Sequence, residues 1–175
     1  MTVQIGTSGL GDGAPVYVMA EIGLNHNGSV DTAIQLIDVA ADAGAQAVKF
    51  QKRSPAISVI LHATSRYPLP AEEANLRTIT TLQNRYPGVP IGHSGHECGP
   101  QISIAAVALG AAVVERQITL DRTLWGSDHA ASLEPRRFEH LVRDIRIIGE
   151  ALGDGVKRVF PGELTPLAKL RRVPV

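Results

Sequence analysis

The sequence predicts an α/β fold assembled from parallel strand–helix units, and three observations predict it. Short apolar runs alternate with stretches of helical spacing along most of the chain. A polar, glycine-containing turn follows the first apolar run, at Glu21-Ile22-Gly23-Leu24-Asn25-His26-Asn27-Gly28, as in α/β enzymes whose sites lie at strand C-termini. The 175 residues suffice for one sizeable core but fall short of the roughly 250 that a complete eight-stranded barrel requires.

Each element has its own signal. Residues 16–22 read as a buried strand. Ser29 can cap a helix on which Val30, Ala33, Ile34, Ile37, Ala40 and Ala41 share one face, and Gly44 ends it. Residues 47–51 form the next strand and residues 57–62 another. A helix over 71–85 turns Leu76, Ile79 and Leu82 inward. Residues 89–92 make a short strand that runs into Ser94-Gly95-His96-Glu97-Cys98-Gly99. Pro100 then suits the first turn of a helix ending at Gly110. Residues 112–118 form the last strand. After a long polar loop, Pro135 opens a helix carrying Phe138, Leu141, Ile145 and Ile148. From Gly153 onward the pattern fades.

One junction breaks the alternation. Only Lys52-Arg53-Ser54-Pro55-Ala56 separates the second strand from the third, whereas a parallel crossover needs a dozen or more residues. These two strands cannot form a standard βαβ unit. Either the connection is antiparallel or bent, or a block of the ancestral chain is absent.

Composition narrows the class. Lys+Arg and Asp+Glu each number 17, so the net charge is zero and no field favours nucleic acid or membrane. The basic clusters at Arg136-Arg137 and residues 169–172 read as solvated surface. The single cysteine, Cys98, excludes an internal disulfide and fits a reducing compartment. Without a paired base nearby it is a poor nucleophile. No signal pattern opens the chain, and no apolar run approaches the ~20 residues that span a bilayer. A cytoplasmic location is expected.

The chemistry-bearing side chains gather at strand ends. Glu21 closes a strand, either as a solvated edge carboxylate or as a group that holds a substrate hydroxyl or water. Asn25, His26, Asn27 and Gly28 have turn-forming character. Lys49 and Gln51 alternate with Val48 and Phe50, so both polar groups share one face. A lysine facing a closed interior requires an anion, although it can instead snorkel to solvent. Ser94 and His96 follow one strand, and Glu115-Arg116-Gln117 ends the next. His96 is a candidate metal ligand and Gln117 a weaker one. In the loop from Asp121 to Pro135, Asp128 is the candidate acceptor for sugar hydroxyls. Trp125 is a candidate lid or stacking surface there.

Five segments carry a resemblance. A-E-I-G-L-N-H-N-G at 20–28, V-K-F-Q-K-R at 48–53 and H-A-T-S-R-Y-P at 62–68 come first. G-H-S-G-H-E at 92–97 and E-R-Q-I-T-L-D-R-T-L-W-G-S-D-H-A-A-S-L-E-P at 115–135 complete the set. In this order they resemble the signature blocks of the sialic acid synthase family, which includes the N-acetylneuraminate synthases and the 9-phosphate, pseudaminic and legionaminic acid synthases.

The resemblance implies an incomplete (β/α)8 TIM-type barrel retaining about five β/α units. The chain is then a single truncated domain, with the first two units in 1–53, the last three in 57–152 and a tail in 153–175. Counted by blocks, barrel strands one, two, six, seven and eight are present. The implied reaction condenses phosphoenolpyruvate with N-acetylmannosamine or a related open-chain N-acyl amino sugar. It yields a nine-carbon 2-keto sugar acid and phosphate, with a divalent metal, manganese, polarising the aldehyde.

By motif match, Lys49 contacts phosphoenolpyruvate and Glu21 sits beside the reacting centre. Gln51 and Asp128 hold the sugar. Ser65 and Tyr67 line the site, and Ser94 helps bind phosphoenolpyruvate. His96 is the first metal histidine, and Gln117 stands where the family has the second. His129 is a conceivable substitute ligand. Family members are dimers with a C-terminal antifreeze-like domain, so a homo-oligomer is expected, and that domain is not expected within these residues.

The combined expectation is a member of this family by descent that is weak or inactive as a catalyst. A non-catalytic sugar- or phosphate-binding or oligomerisation module is the alternative. A metal-dependent hydrolase on a related barrel is a third reading, and it requires a second strong ligand besides His96.

Overall fold

A computed structural model describes residues 2–5, 7–11, 13–50 and 59–170. Gln51 and the join from Lys52 to Ala56 lie outside the described residues. A hairpin opens the chain, β1 (Thr2–Ile5) pairing antiparallel with β2 (Ser8–Gly11). The periodicity of the sequence did not announce it. Five parallel strands follow: β3 (Tyr17–Glu21), β4 (Ala47–Lys49), β5 (Ile60–Ala63), β6 (Ile91–Gly95) and β7 (Val113–Gln117). They form one sheet in the order β4-β3-β7-β6-β5. The first strand of the sheet therefore lies beside the last. The two strands that flank the short join, β4 and β5, are its outermost members among the described residues.

Helices cover one face. Helix α1 (Val30–Asp42) starts as expected, Ser29 Oγ accepting from the Thr32 N–H at 3.2 Å. Its buried stripe is rotated from the expected one. Leu36 and Ala40 are buried, with Ile37, Val39 and Ala43 packed around them, while Val30 and Ile34 are exposed. The helix carries more apolar residues than one face can bury, and the sheet selects the set spaced around Leu36.

The expected helix over 71–85 is two pieces. A short 3-10 turn at Ala71–Glu73 precedes α2 (Arg77–Arg85), and the break falls at Asn75, whose φ is 41°. Asparagine tolerates that left-handed conformation better than most residues. Ile79 remains inward, with Leu76 and Leu82 beside it. Helix α3 (Gln101–Ala108) follows Pro100, and α4 (Pro135–Leu152) has Pro135 in its first turn. Helix α5 (Leu164–Leu170) buries no residue. Among the described residues, no helix is long and apolar enough to cross a membrane.

The main core lies between this helical layer and the sheet. Val18, Ala20, Ile22, Val114 and Ile118 meet Leu36, Phe138, Leu141 and Ile145. On the opposite face, Leu10 of the hairpin packs against Tyr17 and Val113 and covers the apolar N-terminal part of the strands. Strand β6 runs further than expected, so Ser94 and Gly95 belong to it. Its Gly92 is a packing necessity: a Cβ there would lie 2.5 Å from Leu61 and 2.6 Å from the Val113 carbonyl.

Strands β6 and β7 also bury charge on their helical side. The fully buried Arg116 donates to Glu97 Oε1 at 2.8 Å, to the Glu97 and Gly99 carbonyls, to Ser103 Oγ and to the Ala131 carbonyl. Burial raises the pKa of Glu97, but the facing His93 ring, Arg116 and Ser103 outweigh it and hold the carboxyl at about 2, against 4.5 ordinarily. A depressed folded pKa contributes stability that is complete above the unfolded value and is lost as pH falls towards the folded one. The melting temperature should therefore decline as pH drops from 4.5 towards 2. Glu97→Gln should cost about 3 kcal/mol at neutral pH, because Arg116 keeps a buried and unpaired charge. Its melting temperature should also depend less on acid over the same window.

Candidate functional site

Strand alternation sorts the C-terminal half of the sheet into a polar face. Register places Glu21 beside both Lys49 and Gln117, and Ser94 beside Glu115. These side chains, with Tyr67, Gly95 and His96, line one pocket of 70 Å³. Glu21, Lys49, Tyr67, Ser94, His96 and Gln117 are brought together there from separate segments of the chain.

Lys49 has its anions within the protein. Its Nζ lies 2.7 Å from Glu21 Oε2 and 2.9 Å from Glu115 Oε2, and Ser94 Oγ donates to Glu115 Oε1 at 2.8 Å. Burial works against the ammonium, but the two carboxylates outweigh it and raise the Lys49 pKa above 10.5. For Glu21 burial prevails over the Lys49 contact, and its pKa is raised. Glu115 was missed as a site residue. The signal was present, since position 115 is two residues from 117 and so shares its face.

His96 is held at both ring nitrogens. Nδ1 is 2.7 Å from the Thr64 carbonyl, which can only accept, so Nδ1 carries the proton. Nε2 then accepts from the Tyr67 hydroxyl at 2.8 Å. Burial and the charges of Asp128, Glu115 and Glu21 raise the Tyr67 pKa. Gln117 Oε1 is buried without a hydrogen-bond partner. The pocket therefore offers one imidazole lone pair, now shared with Tyr67, and one free amide oxygen. Among the described residues, no group of three or more His, Cys, Asp or Glu side chains is arranged to hold a metal ion.

The remaining candidates lie elsewhere. Ser65 is exposed and outside the pocket lining. Asp128 and Trp125 line a neighbouring cleft between the loops that follow β3 and β7. His129 lines that cleft too, with Nδ1 2.7 Å from Thr119 Oγ1. It does not join His96 in the pocket. Asn25 acts as a brace, donating through Nδ2 to the Ile118 carbonyl and to Ser132 Oγ.

Comparison with known proteins gives four findings of weight. The profile described as the NeuB family matches residues 55–157. The N-acetylneuraminate-9-phosphate synthase of Mus musculus is 54% identical over 110 residues, which cover 63% of this chain and 31% of that protein. The chain thus spans about a third of the length of such curated relatives. The spore coat polysaccharide biosynthesis protein SpsE of Bacillus subtilis is 23% identical over 273 residues, taking in 89% of this chain and 73% of SpsE. That alignment is longer than the chain itself, so SpsE carries a long internal stretch without a counterpart here. Among solved structures, the sialic acid synthetase of Leptospira borgpetersenii in complex with citrate superposes with a TM-score of 0.84 at 25% identity. The match covers 99% of this chain and 98% of that one.

The charge balance around Lys49 can be measured. Glu115→Gln removes one of the two carboxylates, so the Lys49 pKa should fall from its raised position back towards 10.5. Titration of the lysine side chain by NMR checks this, and an unchanged Lys49 curve would refute the contact.

Proposed function

We infer that this chain, which belongs to the NeuB family, carries part of the site of a synthase that condenses phosphoenolpyruvate with an N-acyl amino sugar, and that alone it turns over weakly or not at all. The convergence of Glu21, Lys49, Tyr67, Ser94, His96 and Gln117 in one pocket carries this reading. All five signature blocks contribute to that pocket. In the reaction, the enol carbon of phosphoenolpyruvate attacks the aldehyde of a sugar such as N-acetylmannosamine. Water then adds at the phosphate-bearing carbon and phosphate leaves. Lys49 and Ser94 bind phosphoenolpyruvate, Lys49 exchanging a carboxylate partner for the substrate anion. Glu21 stands beside the reacting carbons, and Asp128 holds sugar hydroxyls with Gln51.

His96 and Gln117 Oε1 would hold a divalent cation such as manganese, which when bound polarises the aldehyde. The residues fit such an ion weakly, because an imidazole is a strong donor and a neutral amide oxygen a poor one.

Three observations support low activity. The described pocket sets two carboxylates against one ammonium, so it opposes a polyanionic substrate. The first strand lies beside the last, as at the seam of a barrel, and the outermost strands flank the short join. The stretch that SpsE carries without counterpart supports the absence of internal barrel segments. Five strands do not close such a barrel, and open edges favour self-association into a homo-oligomer.

Phosphate release from phosphoenolpyruvate, N-acetylmannosamine and manganese tests the reading. The expected rate is at least ~100-fold below that of a full-length synthase, as for loss of a single preorganised charge-stabilising contact. Robust turnover would overturn the weak-catalyst assignment. The negative pocket and Gln117 also favour a non-catalytic binding module. Calorimetric binding of both ligands with no phosphate release would support that alternative. Gln117→His should tighten manganese binding by ~10-fold or more, the scale of ligand-shell changes. An unchanged manganese affinity would remove Gln117 from the metal site.

A further inference from the structure

The loop that follows β5, residues 64–69, grips His96 at three points. The Thr64 carbonyl accepts from Nδ1 at 2.7 Å, the Tyr67 hydroxyl donates to Nε2 at 2.8 Å, and the Leu69 N–H donates to the His96 carbonyl at 2.9 Å. The Tyr67 and His96 rings also lie against each other, with centroids 4.1 Å apart and planes tilted by 33°.

These contacts differ in how readily they are released. Leu69 is buried and bridges Glu97, which Arg116 locks in place. At the other end of the loop, Thr64 Oγ1 donates to the Glu73 carbonyl at 3.3 Å and Arg66 pairs with the Glu73 carboxylate. The backbone of the loop is therefore tied on both sides of Tyr67. The Tyr67 side chain itself is 41% exposed, whereas His96 is 8% exposed. Rotation of that side chain alone gives up the bond to Nε2, and the phenol then meets water.

Nδ1 carries the ring proton, so Nε2 holds the one lone pair of the imidazole. A cation binds neutral imidazole through such a lone pair, and one lone pair serves one partner at a time. The Tyr67 hydroxyl and a cation compete for the same atom. Without either, the buried nitrogen is left unsatisfied at a cost. The hydroxyl thus stabilises the cation-free site and opposes loading of it.

We propose that Tyr67 is an autoinhibitory latch: its hydroxyl caps Nε2 of His96 and has to be withdrawn before that nitrogen takes a divalent cation. The proposal rests on the reading of His96 as a cation ligand in the synthase site. The Thr64 carbonyl holds the ring in one orientation throughout, so withdrawal of a single hydroxyl frees a nitrogen already placed in the pocket that Gln117 lines. Tyr67 and Gln117 then limit cation affinity in different ways, the one as a competitor and the other as a poor donor.

Tyr67→Phe keeps the ring that lies against His96 and removes only the hydroxyl. In the full chain it should tighten manganese binding ~5-fold, the scale of one neutral hydrogen bond given up on loading, measured by paramagnetic resonance of the free ion. His96→Gln in the Tyr67→Phe background should abolish the gain. With no metal added, the His96 Nε2 resonance in nitrogen NMR should move in Tyr67→Phe towards that of an unbonded imidazole nitrogen. An unmoved resonance, or a manganese affinity equal to that of the unaltered chain, would overturn the latch. A weaker affinity would overturn it too, making the phenol oxygen a ligand in its own right, as would manganese binding by neither protein. Calorimetry with phosphoenolpyruvate separates the two readings. Phosphoenolpyruvate binding with an unchanged manganese affinity sinks the latch alone. A gain in manganese affinity without phosphoenolpyruvate binding sinks the synthase reading and leaves the latch standing.

Discussion

The guanidinium of Arg116, buried at the end of β7, ties three parts of the molecule to one point. It bonds Glu97 just past the end of β6, the Gly99 carbonyl and Ser103 at the entry to α3, and the Ala131 carbonyl in the loop that also carries Asp128 and His129. Water is excluded there, so each contact is costly to leave unmade. Adjacent positions on one strand face opposite sides. Arg116 thus anchors the helical side while Glu115 and Gln117, its neighbours, enter the pocket. Likewise Glu97 is locked behind the sheet while His96 faces forward. The ion pair is a foundation for the site without being part of it.

Above that foundation the pocket balances its charge internally. One ammonium meets two carboxylates, a serine hydroxyl secures the second carboxylate, and a tyrosine occupies the free nitrogen of His96. Any anion entering the pocket would have to displace part of this arrangement, at a cost to its affinity. The cavity left among these groups is 70 Å³, room for a couple of waters at about 30 Å³ each. The larger cleft beside it is already open and differs in character, apolar on its walls and polar beneath.

Most elements were legible because their determinants are local. The Ser29 cap, the Pro135 helix start and the alternation of Lys49 depend on neighbours within a few residues, and the structure contains them. The rotated face of α1 and the break at Asn75 were not legible. Which apolar stripe a helix buries is settled by the sheet it meets, and the tolerance of asparagine for positive φ does not by itself say which asparagine will use it. The N-terminal hairpin escaped notice because its strands are only four residues long. Part of its partner surface, Val113 of β7, is remote in sequence.

The sequence by itself determined the parallel β/α character, the family, and the placement of Glu21, Lys49 and Gln117 at strand ends, because a period of two and short signature blocks are properties of contiguous residues. Only the tertiary structure decided the strand order, with β3 beside β7 and β4 and β5 outermost. That order makes Glu115 a partner of Lys49 and puts His129 in a different cavity from His96. Strand neighbours are chosen by the burial of whole faces against distant helices and the hairpin. No local window carries that information.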